Sequence, residues 1–134
     1  MKVIFVGIHN KEDMMPLDIL SKSGKIIHKI EKELSISAIK TNLYDMERMP
    51  IGNEIDNEPV KWWYKNNIEI DYDCIIVLLG KFVQDNFYKA HNDCKYINLA
   101  HPASSLFHGN KSTEQYVNNA VDKIKPFLTL NNNL

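Results

Sequence analysis

Near the amino terminus runs the sequence Lys2-Val3-Ile4-Phe5-Val6-Gly7, an apolar segment that stops at a glycine and gives way to the polar cluster His9-Asn10-Lys11-Glu12-Asp13. β-Branched and aromatic residues in such a run are typical of the buried strands of parallel sheets. Open α/β sheets bind their ligands in the crevice beyond the carboxyl ends of these strands. The segment therefore predicts a core strand that ends at a binding crevice.

The same pattern recurs late in the chain. A second apolar segment, Tyr96-Ile97-Asn98-Leu99-Ala100, leads directly into His101-Pro102-Ala103-Ser104-Ser105. Polar loops that follow two core strands of one parallel sheet lie at the same edge of that sheet. We therefore expect the two loops to form one site.

Hydrophobic periodicity and turn residues predict the other elements. Strands are predicted over residues 37–43, 73–80 and 95–99, and helices over residues 23–34, 58–65, 81–91 and 112–125. Ser21 or Ser23 can cap the first helix, and Ser112 with Gln115 matches a capping box for the last. Residues 44–56 are predicted to be a loop and residues 131–134 a frayed tail. The alternation predicts one domain over residues 1–134, a three-layer α/β/α fold with a four-stranded parallel sheet.

Composition places the chain among ordinary globular proteins, with 44% hydrophobic and 25% charged residues. The net charge of −1 argues against a broad basic face for nucleic acid, although a small patch near Lys11 and Lys25 stays open. Cys74 and Cys94 lack metal-site spacing and are predicted to be buried free thiols. We expect no metal or cofactor, no membrane span, no leader peptide, a cytoplasmic location and a monomer.

Three polar residues near predicted strand ends are candidates for chemistry. Asn10 can orient a water or bind an amide-bearing ligand, or it can form a turn with its own backbone. Asn42 offers one acceptor and two donors, which complement the edge of a pyrimidine, or it too serves a turn. His101 precedes proline, which stiffens its loop, so it can stabilise developing negative charge or stand as a surface histidine.

Several other classes of enzyme are excluded because their sequence motifs are absent. Ser104 and Ser105 lack the G-x-S-x-G elbow of serine hydrolases, and no P-loop or dinucleotide-binding glycine motif occurs. Leu106-Phe107 places two large apolar residues in a polar loop. They can pack on the core, or they can be a wedge of the kind that enters a base stack.

The ordered set of segments resembles the uracil-DNA glycosylase superfamily, in the style of its mismatch-specific and single-strand-selective branches. The segments that carry the resemblance are Gly7-Ile8-His9-Asn10, Ser23-Gly24-Lys25, Thr41-Asn42-Leu43, Leu78-Leu79-Gly80-Lys81 and His101-Pro102-Ala103-Ser104. They cover the chain to about Leu106. The resemblance implies a glycosylase-like fold and hydrolysis of an N-glycosidic bond in DNA that contains uracil or a modified pyrimidine.

The resemblance also assigns roles to individual residues. Asn10 matches the residue that positions the hydrolytic water, and His101 matches the histidine that stabilises the departing base, so these two are the expected catalytic residues. Substrate binding falls to Gly7, His9, Ser23, Gly24 and Asn42. Contacts to DNA fall to Lys11, Lys25, Lys81, Ser104, Ser105 and Leu106, with Leu106 as the wedge.

Departures from the family pattern keep two other functions open. His9 stands as an insertion in the first motif, Lys11 where proline is common, and Ala103 where serine follows His-Pro. Because Asn10 can orient a water but not deprotonate it, a catalytically silent protein that binds DNA or a base is one alternative. The other is a hydrolase of free nucleosides or nucleotides. Salt-sensitive binding to DNA would separate these possibilities.

Overall fold

The computed structural model describes residues 2–7, 21–42, 74–87, 94–103 and 112–132, and all structural statements concern these residues. Strands and helices alternate along them. The elements are strand β1 (Lys2–Gly7), helix α1 (Lys22–Leu34), strand β2 (Ile39–Asn42), strand β3 (Cys74–Leu79), helix α2 (Lys81–Asn86), strand β4 (Lys95–Leu99) and helix α3 (Thr113–Asn132). The predicted loop over residues 44–56 and helix over residues 58–65 lie outside the described residues.

The four strands form one parallel sheet in the order β2-β1-β3-β4. Ile4 pairs with Ile39 on one side of β1 and with Ile76 on the other, and Ile76 pairs with Tyr96. The predicted α/β fold with a four-stranded parallel sheet flanked by helices is thus confirmed. β1 and β3, the central strands, are buried along almost their whole length, as their near-continuous apolar sequences predict.

Alternate residues of the central strands supply two separate cores, because successive side chains of a strand point to opposite faces. On one face, α1 and α3 pack over the sheet in a cluster that includes Phe5, Ile27, Val77 and Ile124. On the other face, α2 contributes Val83 to a cluster that also holds both cysteines. Cys74 and Cys94 are buried and not part of a disulfide, as predicted.

Local sequence explains the beginning of two helices. Ser21 caps α1, since its hydroxyl accepts a 2.9 Å hydrogen bond from the amide of Gly24, so the cap is Ser21 and not Ser23. The capping box at α3 is confirmed: the Gln115 amide donates to the Ser112 hydroxyl, and the Ser112 amide donates to the Gln115 side-chain oxygen. These bonds satisfy amides that would otherwise lack partners in the first turns.

Several predicted boundaries were wrong. The predicted helix over residues 81–91 ends at Asn86, where Phe87 takes an extended conformation and buries its ring in the second core. α3 was expected to stop before Pro126, but it continues through Pro126 to Asn132, which includes part of the predicted frayed tail. Phe127 and Leu128 pack against the first core, and this burial offsets the helix hydrogen bond that proline removes. β2 begins at Ile39, two residues later than predicted, and β3 ends at Leu79, one residue earlier than predicted.

Candidate functional site

The carboxyl edge of the sheet contains a topological switch point between β1 and β3. From β1 the chain crosses through α1 to β2 on one side, whereas from β3 it crosses through α2 to β4 on the other side. Right-handed crossovers in opposite directions place their helices on opposite faces, which is where α1 and α2 lie. The chain therefore crosses from β1 and from β3 towards opposite faces of the sheet, and ligands of open α/β sheets bind at the strand ends of such a switch point.

Two predicted binding residues lie side by side at this edge. Gly7, the last residue of β1, is the register partner of Asn42, the last residue of β2. Asn42 is only 3% exposed, so its carboxamide is a buried polar group at the end of a strand. Such a group is held by hydrogen bonds, which give it a defined orientation. The structure thus brings together two of the residues that the sequence assigned to substrate binding.

A glycine at the end of β3, Gly80, allows His101 to pack closely against this strand end. Gly80 has φ of +91° and ψ of 158°, a backbone conformation that is essentially restricted to glycine. A Cβ atom on Gly80 would lie 3.2 Å from the Cβ of His101. The conformation requires glycine at this position, and a Cβ atom here would also press against His101. The sequence predicted that β3 ends in glycine but did not predict this contact.

The peptide group that precedes Ala100 is held from the β3 side. The carbonyl oxygen of Leu99 accepts hydrogen bonds from the Gly80 amide at 2.8 Å and from the Gln84 side-chain amide at 2.9 Å. The same Gln84 nitrogen is 3.2 Å from the carbonyl oxygen of Leu78. Gln84 therefore ties the ends of β3 and β4 together at the point where the His101 loop begins.

The next peptide group is held from the opposite face of the sheet. The hydroxyl of Tyr116, in the first turns of α3, donates a hydrogen bond to the carbonyl oxygen of Ala100. Tyr116 is 2% exposed, and this burial raises the pKa of its hydroxyl far above the ordinary value. The phenol consequently remains a neutral donor at any physiological pH. Both carbonyl groups immediately before His101 are thus fixed, one from each side.

The imidazole ring of His101 is itself oriented by a backbone contact. The amide of Ala103 donates a 3.2 Å hydrogen bond to Nδ1 of His101. An imidazolium has no acceptor nitrogen, so this bond assigns the neutral tautomer in which Nε2 carries the proton. The half-buried ring therefore presents an N–H donor at Nε2. A donor of this kind, on a rigid backbone, can stabilise an oxygen that gains negative charge.

Four further predicted residues lie in the first turns of α1 and α2. Both turns belong to the carboxyl edge, since each helix follows a strand of a parallel sheet. Lys25 and Lys81 are exposed there, whereas Gly24 is buried and Ser23 is half-buried. The positive end of the α1 dipole adds to the charge of Lys25. This part of the edge is suited to contact with phosphate groups.

The other predicted site residues, His9, Asn10, Lys11, Ser104, Ser105 and Leu106, lie outside the described residues. Sequence reasoning missed Gln84 and Tyr116, whose contacts fix the His101 loop. Tyr116 had a detectable signal, because Tyr116, Val117, Ala120 and Ile124 follow the helical period and mark the buried face of α3. Gln84 had none, since its role depends on the register between β3 and β4.

Within the described ranges, no group of three or more His, Cys, Asp or Glu side chains could hold a metal ion. Among the described helices, none is long and apolar enough to cross a membrane. No protein-family model and no curated protein sequence matches this chain. The fold and the geometry at the carboxyl edge of the sheet are therefore the grounds for a functional proposal.

Proposed function

We propose that this protein is a DNA glycosylase, which hydrolyses the N-glycosidic bond of uracil or of a modified or mispaired pyrimidine. The observation that carries the proposal is the orientation of His101, which lies beside the switch point of a parallel sheet and accepts a hydrogen bond at Nδ1 from the Ala103 amide. In this proposal the sheet and its helices form the three-layer glycosylase arrangement. The resemblance of the ordered motifs to the uracil-DNA glycosylase superfamily supports the same assignment.

The proposed reaction needs a donor at the departing base. Cleavage of the bond between C1′ and N1 leaves the bonding electrons on the base, and the charge spreads to its O2 oxygen. The sugar becomes an oxocarbenium-like centre, water adds its oxygen to C1′, and the proton released from water restores neutrality to the base. The Nε2–H of His101 would donate to O2 as the charge develops. Its fixed orientation suits this role, because a preorganised donor needs no rearrangement during the step.

Asn42 would recognise the base. Its carboxamide carries an acceptor and two donors, which complement the alternating donors and acceptors of a uracil edge. Its register partner Gly7 has no side chain, so the adjacent strand end leaves room for a flat ring. Strands are spaced about 4.8 Å apart, so β2 and β4 are separated by roughly 14 Å. A base above β1 and β3 would lie between Asn42 and His101.

Water and DNA would be handled by Asn10, Leu106 and two exposed lysines. The resemblance assigns the orientation of the attacking water to Asn10, which holds the water without deprotonating it. A target base must leave the helical stack before it can enter the crevice, at a cost of a few kcal/mol that is smallest for mispaired bases. Leu106 would fill the gap in the stack, and Lys25 and Lys81 would contact the phosphates.

The decisive experiment uses labelled oligonucleotides with one uracil, either single-stranded or paired with guanine or adenine. Alkali after incubation cleaves the strand wherever a base has been removed. We expect cleavage by the wild-type protein and a fall in kcat of about 100- to 1000-fold for His101→Ala. His28→Ala is the matched control, because His28 lies on α1 away from the strand ends and should retain full activity. An inactive wild type on every substrate would refute the glycosylase.

Two additional arms test binding. Asn42→Asp replaces the donor amide with a carboxylate, so we expect at least about 100-fold lower activity on uracil. Lys81→Gln should reduce the slope of log affinity against log salt by about one, whereas Lys32→Gln, in the last turn of α1 at the opposite edge, should not. Salt-sensitive DNA binding without cleavage would indicate the silent binder. Release of bases from free nucleosides, without DNA binding, would indicate the nucleoside hydrolase.

A further inference from the structure

Tyr116 occupies a position that no motif assigns. It lies in the first turns of α3, its ring is part of the core beneath the sheet, and its hydroxyl reaches the carbonyl of Ala100. The capping box formed by Ser112 and Gln115 sets where α3 begins and therefore which residue faces the end of β4. A chain of contacts thus links the start of α3, through Tyr116, to Ala100, the residue before His101.

We infer that Tyr116 is a positioning residue for His101, acting through the peptide group that joins Ala100 to His101. This inference rests on the proposed glycosylase function, in which His101 must meet an oxygen of the departing base. The carbonyl of that peptide group can turn only if the peptide plane turns, and the plane carries the backbone nitrogen of His101. The hydroxyl of Tyr116 fixes the carbonyl and thereby the backbone nitrogen and Cα of His101, from which its side chain extends.

The contacts described on the opposite side act on other atoms. Gly80 and Gln84 donate hydrogen bonds to the carbonyl of Leu99, one peptide earlier, and neither bond holds the carbonyl of Ala100. Ala103 orients the ring but lies only two residues further along the chain, so it would move with His101. Tyr116 belongs to a different element, whose side chains Val117, Ala120 and Ile124 are anchored in the core. Among the described contacts, it is the hydrogen bond from another element that holds the peptide group directly before His101.

Burial makes the tyrosine suited to this task. Tyr116 stays protonated because burial raises its pKa, so the contact persists across the pH range in which an enzyme works. Removal of the hydroxyl by Tyr116→Phe keeps the ring and its packing, and so should preserve the fold. Tyr96→Phe is the matched control, since Tyr96 packs against the core on the other face of the sheet.

The first test observes His101 directly. Nitrogen-15 spectra of the imidazole rings, with the His101 signals assigned by their loss in His101→Ala, report which nitrogen carries the proton. In the wild type we expect a proton fixed at Nε2 and an Ala103 amide signal typical of a hydrogen bond. Tyr116→Phe should move His101 towards a mixture of tautomers and shift the Ala103 signal, whereas Tyr96→Phe should change neither. Unchanged His101 and Ala103 signals in Tyr116→Phe would overturn the inference.

The second test measures cleavage of a uracil-containing oligonucleotide. Tyr116→Phe should lower kcat by about tenfold or more with little change in KM, because a displaced catalytic group costs rate and not affinity. In the His101→Ala background the same substitution should have no effect on kcat. An equal loss in both backgrounds would show that Tyr116 does not act through His101. If the wild type cleaves no substrate, the proposed function fails, and the spectra alone decide whether Tyr116 positions His101.

Discussion

Gly80 and His101 approach each other so closely that a Cβ atom on Gly80 would be in tighter than ordinary van der Waals contact with His101. A Cβ on Gly80 would lie 3.2 Å from the Cβ of His101 and 3.7 Å from its backbone nitrogen. The Gly80 amide also donates to the carbonyl of Leu99, two residues before His101. The end of β3 thus packs against His101 and hydrogen-bonds to the chain just before it.

Replacement of this glycine should damage both stability and the His101 loop. In Gly80→Ala the alanine backbone is strained at this positive φ, and the new methyl group pushes against His101. The free energy of unfolding should therefore fall by about 2 kcal/mol. Urea denaturation measures the change, and the neighbouring exposed position supplies the control, since Lys81→Ala should alter stability by less than about 0.5 kcal/mol. Equal stabilities for Gly80→Ala and the wild type would contradict the strained conformation.

At the end of α1, Ser35 has a left-handed backbone conformation, so substitution by glycine is expected to stabilise the protein. Ser35 has φ of 54° and ψ of 46°, and the amides of Ser35 and Ile36 bond to the carbonyls of Lys32 and Glu31 in a Schellman motif. Glycine adopts this conformation without the steric cost of a side chain. Ser35→Gly should therefore raise the free energy of unfolding by about 0.5–1 kcal/mol.

A matched serine-to-glycine substitution two residues away shows whether the gain depends on the left-handed conformation or arises from any such exchange. Ser37 is also exposed but does not have a positive φ, so Ser37→Gly should leave stability unchanged or lower it. Thermal or urea unfolding of the two variants gives the comparison. A gain of stability in Ser37→Gly as large as that in Ser35→Gly would show that the left-handed cap is not the cause.

The sequence predicted the framework of the molecule because its signals are local. A continuous apolar run that ends in glycine, as at Val6-Gly7 and Leu79-Gly80, is sufficient to define a buried parallel strand and its end. The capping box at Ser112 defines the start of α3 in the same way. These signals also place Gly7, Asn42 and His101 at one edge of the sheet, since parallel strands bring their carboxyl ends together.

The contacts that orient His101 could not be predicted because they depend on tertiary geometry. Gln84 meets the carbonyl of Leu99 only once β3 and β4 are paired in register, and Tyr116 meets Ala100 only once α3 has docked. The continuation of α3 past Pro126 has a similar origin: local preference favours a helix end there, but burial of Phe127 outweighs it.

An ion pair between the buried Glu31 and the half-buried Lys40 connects α1 to β2, and its two partners should be energetically coupled. The Lys40 ammonium lies 2.6 Å from Oε1 of Glu31, while Oε2 of Glu31 accepts a 2.9 Å hydrogen bond from the Ala38 amide just before β2. Glu31→Ala should lower the free energy of unfolding by about 2–3 kcal/mol, because it leaves a partly buried amide and a half-buried cation without their acceptor.

A double-mutant cycle isolates the ion pair from the amide contact. Glu31→Gln retains a side-chain oxygen for the Ala38 amide and removes the charge, and Lys40→Met retains the length of the side chain. Urea unfolding of both single variants and the double variant should give a coupling energy of about 1–2 kcal/mol. A coupling energy near zero would mean that the carboxylate stabilises the fold only through Ala38.

The raised pKa of Tyr116 predicts a specific loss of stability in alkali. An unfolded tyrosine ionises with a pKa of about 10, whereas burial keeps the folded Tyr116 protonated to higher pH. Above pH 10 the folded state therefore binds more protons than the unfolded state, and stability falls as pH rises. Below pH 10 the contribution is complete, and there the Tyr116 hydroxyl should make the wild type about 1 kcal/mol more stable than Tyr116→Phe.

Comparison with Tyr116→Phe removes the contributions of all other titrating groups. Between pH 8 and pH 11 the stability of the wild type should fall relative to Tyr116→Phe by about 1.4 kcal/mol, the linkage expected of one tyrosine that ionises only when unfolded. Plotted against pH, the free energies of unfolding of the two proteins should consequently cross near the upper end of this range, and the variant should be the more stable protein at pH 11. Urea denaturation at each pH measures the difference. A constant difference between pH 8 and pH 11 would mean that Tyr116 ionises as readily in the folded protein as in the unfolded chain, and its hydroxyl would then be no fixed neutral donor to Ala100.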